Sequence, residues 1–399
     1  MANFPVSEWI PPDDPILGLN VAFRKDARPN KVNLGVGAYR TAAGQPLVLP
    51  SITAAETILL EKKLNKEYLP IDGDADFVQA VKQLVFGDLT PKLHMFGAQM
   101  IGGTGALRMG GEYLSLGGPR SIYLSTPTWA NHKSVFSRAG LKVENYPYYD
   151  RASQGIDFAG MCQAFTQMPA GSVVLLHGCC HNPTGVDLTH EQWHELSKLV
   201  KKHHLIPFFD LAYQGLGDGL DADAYSVRYF AEQGHELLIA YSCAKNFGLY
   251  GERVGFLAVV TVDATSADVV GRQLKTIIRA NWSNPPTHGA RLVTTILQSE
   301  SLRNEWLNEL ESMRQRITEM RKVLASGLCA KGHGCDYNVL VSQRGLFSYG
   351  FLDHDQVQLL RSEYAIYCPD DGRINVAGLN PQNIGYVIEA IEAVAASRR

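Results

Sequence analysis

The sequence predicts an α/β fold: a large domain with a mainly parallel sheet covered by helices on both faces, and a smaller α+β domain with which the N-terminal segment packs. Three observations carry this. Between about residues 50 and 310, short apolar runs alternate with longer helical patterns, the rhythm of βα units and a parallel sheet. The runs lack apolar/polar alternation, as expected of strands covered on both faces. The 399-residue chain also exceeds what one hydrophobic core usually organises, so a second unit and a cleft between the two are expected.

Taken in order, the segment through residue 50 is rich in Pro, Asp and Gly and reads as an arm followed by turns. Strands are expected over 121–124, 172–176, 206–209, 236–240 and 255–260. Between them, residues 191–203 set Trp193, Leu196, Leu199 and Val200 on one helical face. Residues 300–327 form a long amphipathic pattern with Trp306, Leu307, Leu310, Met313 and Ile317 on one stripe, suited to link the large unit to the C-terminal segment. A strand over 345–351 and a helix over 381–396 complete the smaller unit. The boundaries drawn are an arm over 1–14, a small domain over 15–45 and 313–399, and a large domain over 46–312.

Hydrophobic residues make up 45% and charged residues 19%, ordinary for a soluble globular chain. A net charge of -3 gives no reason to expect nucleic acid or an anionic membrane as partner. Seven scattered cysteines, without a CxxC pair, offer neither a zinc spacing nor a disulfide framework and point to a reducing compartment. No signal-like segment opens the chain, and no apolar run reaches the ~20 residues a bilayer span needs. A cytoplasmic protein without a metal is the expectation.

In open parallel sheets, ligands gather at the carboxyl ends of the strands. Asp210 follows the 206–209 run directly; His177 and Asn182 follow 172–176; Lys245 follows the strand ending near Tyr241; Arg253 precedes the next. With Tyr213, these residues should converge at one sheet edge. An amine that attacks an aldehyde must be neutral, and burial beside cations lowers its pKa accordingly. Most lysines are solvated, but Lys245 lies in Ser242-Cys243-Ala244-Lys245-Asn246-Phe247-Gly248 with Arg253 eight residues on. A hydroxyl and a guanidinium flanking the lysine suit a phosphate monoester. The run Gly102-Gly103-Thr104-Gly105 resembles a turn opening a helix, where free N–H groups favour phosphate, or is only a tight turn. Asp210 is either a helix N-cap or a carboxylate that keeps a pyridine nitrogen protonated. Trp129 is core, or an indole lying on a flat ring. Arg279 and Arg373 are surface or structural residues, or carboxylate clamps. The dinucleotide fingerprint is missing, which disposes of a nicotinamide-dependent dehydrogenase.

Together these segments resemble the aspartate aminotransferases of the class I, fold-type I pyridoxal phosphate family. The resemblance runs from residues 32–40 (Val-Asn-Leu-Gly-Val-Gly-Ala-Tyr-Arg) to 373–378 (Arg-Ile-Asn-Val-Ala-Gly), nearly the whole chain. Its specific motifs are His181-Asn182-Pro183-Thr184-Gly185 and Lys245-Asn246-Phe247-Gly248-Leu249-Tyr250. It implies that Lys245 holds the cofactor, pyridoxal 5'-phosphate, and shuttles the proton at the substrate α-carbon. It implies further that Asp210 pairs with the pyridine nitrogen, backed by His132, and that Asn182 and Tyr213 hydrogen-bond the ring hydroxyl. Trp129 would stack on the ring, and Gly103, Thr104, Ser242 and Arg253 would bind the phosphate, with Tyr68 supplied by a partner subunit. Arg373 would clamp the α-carboxylate, aided by Asn182 and the backbone of Gly37, and Arg279 of a partner subunit would take the distal carboxylate. The catalytic set is thus Lys245, Asp210, Tyr213 and Trp129, in a homodimer with shared active sites.

The implied reaction moves the amino group of aspartate to 2-oxoglutarate by a ping-pong cycle. A mixed or aromatic substrate range is the second reading, because the aromatic enzymes of the subgroup share nearly every residue named. A lyase of the same fold is disfavoured by the two carboxylate clamps, and an inactive binding protein by the retention of Lys245, Asp210 and Arg373. The chain departs from the family at Gly102 and Ala244, often serine, and at Gly251, commonly asparagine. Gly102 is expected to donate its N–H all the same.

Overall fold

The computed structural model describes residues 14, 16–330 and 337–396. The arm expected over 1–14 lies outside the described residues except for Asp14, as does Cys335. The body of the molecule is a seven-stranded sheet: β1 (His94–Ile101), β2 (Ser121–Thr126), β3 (Lys142–Pro147), β4 (Val173–His177), β5 (Ile206–Leu211), β6 (Leu237–Ser242) and β7 (Val254–Thr261). Its spatial order is β1-β7-β6-β5-β4-β2-β3. The pairs from β6 to β3 are parallel, and β7 alone runs against its neighbours β1 and β6.

All five strands expected between residues 50 and 310 are present. Two more, at the sheet margins, carry no clear apolar run. β3 is Lys-Val-Glu-Asn-Tyr-Pro, an edge strand with a Lys142–Glu144 ion pair of 2.6 Å facing solvent. β1 contains Gly97, which a side chain could not replace: a Cβ there would lie 2.7 Å from Lys82 Cε and 2.8 Å from Phe256 Cε2.

The central strands bury both faces. Val174, Leu176, Phe209, Leu237, Ile239, Phe256 and Ala258 point into one core, and Val173, Leu175, Phe208, Leu238, Ala240, Leu257 and Val259 into the other. The helix His190–Lys202 covers the first face with Trp193, Leu196 and Val200, and begins on a capping box between Thr189 and Gln192. The helices Gly102–Ser115 and Ala264–Asn281 cover the second with Ala106, Leu107, Val270 and Leu274. This two-sided burial explains why the strands read as unbroken apolar runs.

The smaller unit draws on both parts of the chain. Val32–Asn33 pairs in parallel with Ile366–Tyr367, and Phe347–Ser348 pairs antiparallel with Ile374–Asn375. The strand expected over 345–351 is therefore reduced to two residues, because Gly345 (φ 73°) and Gly350 (φ 97°) turn the chain at either end. The helix expected over 381–396 begins at Ile384, after Asn380 has accepted the N–H groups of Gln382 and Asn383.

The helix Glu300–Cys329 links the two parts. Its fully buried Trp306 lies flat on Phe247, with ring centroids 4.4 Å apart, and donates from Nε1 to Asn246 O at 2.7 Å. The turn that carries Lys245 is thus anchored to this helix. Trp306→Ala is expected to cost about 3–5 kcal/mol, and Trp306→Phe, which keeps the stack and loses one hydrogen bond, about 1 kcal/mol. Urea midpoints should fall in the order wild type, Phe, Ala; equal losses in both variants would show that the stack contributes nothing.

Candidate active site

Strands β1, β2, β4, β5 and β6 end at one edge of the sheet, and the reversed β7 begins there. The loops at that edge enclose a cavity of about 220 Å³ lined by Gly37, Gly103, Thr104, Trp129, Asn182, Asp210, Tyr213, Ser242, Lys245, Arg253 and Arg373. A larger cavity of about 530 Å³ at the opposite edge, near Tyr113, Arg120 and Glu236, contains none of these residues.

Asp210 sits near the end of β5, where Oδ2 meets Nε2 of the fully buried His132 at 3.0 Å. Burial alone would raise the carboxyl pKa; the His132 bond, with the nearby His132, His177 and Lys245, outweighs it and holds the pKa below the usual value. Thr128 Oγ1 bridges from His132 Nδ1 (2.8 Å) to His177 Nε2 (3.2 Å), fixing the His132 ring from behind. The His132 ring also meets Trp129 edge to face at 5.1 Å. Lys245 follows β6, with Nζ 4.9 Å from the centre of the Tyr213 ring. Burial lowers its pKa to about 8; Asp210 opposes the shift, and Arg253 and Arg373 add to it. An appreciable part of this amine is therefore neutral near pH 7–8, the form that attacks a carbonyl.

The first turn of the helix Gly102–Ser115 presents Gly103 and Thr104 beside Ser242 and Arg253. Free N–H groups, a hydroxyl and a guanidinium together suit an anion such as phosphate. One expectation is corrected: the Gly102 N–H is already spent on Arg253 O at 2.9 Å, because the antiparallel pairing of β7 with β1 continues into that bond. Gly102 has φ 64°, and a Cβ there would press into the Arg253 guanidinium, so serine could not stand there without a shift.

At the other side of the cavity, the buried Arg373 donates from Nη1 to Asn182 Oδ1 (3.0 Å) and from Nη2 to Gly35 O (2.6 Å). Its Nε is buried and has no hydrogen-bond partner among the described residues, leaving an edge of the guanidinium unspent for a carboxylate. Asn182 Nδ2 reaches Tyr213 OH at 3.4 Å, and burial raises the pKa of that phenol. Apart from Leu107 and Ala212, two lining residues were not singled out from the sequence. Phe347 lies under Arg373 and Ile16 closes one wall; both are apolar residues in segments without a chemical motif.

Tyr68 and Arg279 do not join the cavity. Tyr68 is 83% exposed, and Arg279, also exposed in the last turn of its helix, is bonded to Ser283 Oγ. The fold also brings Cys179 Sγ, Cys180 Sγ and a carboxylate oxygen of Asp223 within 4.8 Å of one another, a grouping that spacing did not suggest. That carboxylate already accepts from the N–H groups of Gly215, Gly217 and Asp218, which accounts for it as a loop anchor.

The family model for aminotransferase class I and II matches residues 29–391. The chain belongs to that family. It is 48% identical over 389 residues to aspartate aminotransferase 1 of Medicago sativa, covering 96% of this chain and 93% of that protein. It is 46% identical over 387 residues to the aspartate aminotransferase of Escherichia coli K12, covering 96% and 98%. Among solved structures, an aromatic-amino-acid aminotransferase from Burkholderia pseudomallei, covalently bound to pyridoxal phosphate, superposes with a TM-score of 0.95 at 45% identity, covering 99% of this chain and 100% of that one.

Within this aminotransferase, His132 is what keeps Asp210 ionised despite burial. In His132→Leu the carboxyl pKa should climb, so the loss of kcat/KM on acidification should begin at a higher pH than in wild type. A pH profile with an unchanged acid limb would remove His132 from this role.

Proposed function

We propose that this chain is a pyridoxal phosphate-dependent aspartate aminotransferase, converting L-aspartate and 2-oxoglutarate to oxaloacetate and L-glutamate, with both substrate pairs using one cavity in turn. The observation that carries the reading is the grouping of Lys245, with its lowered pKa, Asp210 and the half-spent guanidinium of Arg373 in one cavity.

The residues fit the cofactor. Gly103, Thr104, Ser242 and Arg253 would take the phosphate, Asp210 supplies the one carboxylate among the described lining residues, and Trp129 offers a flat face. In this reading Asp210 would pair with the pyridine nitrogen, and Asn182 and Tyr213 would hold the ring hydroxyl. When bound, pyridoxal phosphate supplies an electron-withdrawing ring that takes up the electron pair released at the substrate α-carbon. Lys245 would hold the cofactor and, once freed by the incoming substrate amine, would move the proton at the substrate α-carbon as a neutral amine. Arg373, with Asn182 and the backbone of Gly37, orients the α-carboxylate. The buried Tyr213 and the half-buried Trp129 would keep bulk water from the reacting carbon.

The active form in this proposal is a homodimer, in which Tyr68 and Arg279 act in the neighbouring copy's site, on the phosphate and on the distal carboxylate. Their exposure, and the exposure of Leu60 and Leu64 shortly before Tyr68, support that assignment. The division into a small domain (15–45 and 313–399) and a large one (46–312) belongs to the same reading. So does a cytoplasmic location, which suits the six free thiols among the described residues; among those residues no helix is long and apolar enough to cross a membrane.

A mixed aspartate and aromatic range is the second reading, favoured by the likeness to the aromatic enzyme from Burkholderia pseudomallei. The α-carboxylate clamp serves every amino acid, so the distinction rests on Arg279. An absorbance spectrum decides. Loss of the visible cofactor band with aspartate and its return with 2-oxoglutarate are expected; bleaching by tyrosine or phenylalanine alone would move the enzyme to the aromatic branch, and no band after adding the cofactor would leave only a binding protein. The rate at which the apoprotein captures pyridoxal phosphate should rise with pH and level off above about 8, as Lys245 loses its proton. Lys245→Ala should lose turnover by about 10⁴-fold or more, and an active variant would contradict the assignment.

A further inference from the structure

We propose that Arg321 is a positioning residue for substrate binding: from the helix Glu300–Cys329 it fixes the backbone of residues 345–348 and so holds the Phe347 ring beneath the Arg373 guanidinium. The inference rests on the transaminase reading, in which Arg373 takes the substrate α-carboxylate.

Arg321 is 2% exposed, yet no carboxylate pairs with it among the described residues. Burial lowers its pKa to about 10; the Cys180 thiol opposes the shift and another guanidinium, that of Arg344, adds to it. A buried cation without a counter-ion is costly, so its hydrogen bonds must hold it in place. They converge on one short segment. Nη1 donates to Phe347 O at 2.9 Å and to Ser348 Oγ at 2.6 Å, and Nη2 donates to Gly345 O. The segment needs such a tether, because its β pairing covers only Phe347 and Ser348, and glycines in left-handed conformation flank it at 345 and 350.

The side chain on this tethered backbone touches three parts of the cavity. The Arg373 guanidinium carbon lies 4.1 Å from the centre of the Phe347 ring. The Tyr213 ring meets it edge to face at 6.0 Å and 80°. Gly37 lies against its tip, where a Cβ would come within 2.8 Å of Phe347 Cζ. The loop that carries Asn182 leans on the same backbone: Arg344 N donates to Gly185 O at 2.6 Å, and a Cβ on Gly185 would come within 2.8 Å of Phe347 O.

A ring face under a guanidinium stabilises it and also sets its plane. A bidentate carboxylate clamp depends on that plane, so a tilt of Phe347 weakens the clamp while Lys245 and Asp210 keep their places. Arg321 thus acts on substrate binding through two intermediaries and touches neither substrate nor cofactor.

The test uses the holoenzyme and steady-state kinetics with aspartate and 2-oxoglutarate. Arg321→Met should raise both KM values about tenfold, with kcat within about twofold and the visible cofactor band unchanged. Arg321→Lys, which restores charge and part of the bonding, should recover part of the loss. Ser348→Ala, which removes one bond and buries no new charge, keeps the test available if the methionine variant fails to fold, and should raise both KM values about twofold to threefold. In a Phe347→Leu background, either substitution should leave KM as it is in Phe347→Leu alone, because the ring that carries the effect is gone. Folded variants with wild-type KM values, or KM effects that persist without the ring, would overturn the proposal. Failure of the transaminase reading looks different, since the wild-type protein itself would then show no cofactor band and no half-reaction.

Discussion

Three cations share one small cavity with a single carboxylate. Lys245, Arg253 and Arg373 line it, and among the described lining residues Asp210 is the only acid. Such an arrangement is unstable unless the positive groups are held apart, hydrogen-bonded, or discharged. Each solution is visible. Arg373 is held by Asn182 and a backbone carbonyl, Arg253 by the Tyr250 carbonyl at 3.1 Å, and Lys245 yields by losing affinity for its proton. Asp210 is kept charged by His132, which is in turn oriented by Thr128. The excess of positive charge is what anionic ligands at both ends of the cavity would neutralise.

The fold was legible where burial is two-sided. β2, β4, β5, β6 and β7 are long apolar runs because helices cover both faces, and such runs are hard to mistake. β1 and β3 escaped because a glycine and a glutamine interrupt one, and charges and a proline the other. In the smaller unit, two-residue strands carry no period at all, and glycine conformations decide where they stop.

The site was legible for a topological reason. Residues that follow parallel strands must meet at one edge, so Asp210, Asn182 and Lys245 could be grouped before any geometry was known. Arg253 joined them because β7 is reversed, which places its start where the other strands end. Phe347 and Ile16 were invisible to that logic, since nothing chemical marks an apolar residue as a support. Tyr68 came from resemblance alone, and Arg279 was read as either a surface residue or a carboxylate clamp; within one chain both stand apart from the cavity.

The helix Glu300–Cys329 touches both ends of this arrangement. Trp306 fastens the turn behind Lys245, and Arg321, fifteen positions further on, fastens the segment under Arg373. At 1.5 Å per residue the two anchors are roughly 22 Å apart along the axis. The helix therefore works as a ruler: it sets the span between the Lys245 amine and the Arg373 guanidinium. A one-residue insertion between the anchors would lengthen that span by about 1.5 Å and swing Arg321 by about 100° around the axis. Chains that diverge freely in their loops should thus keep the count of residues between these two positions.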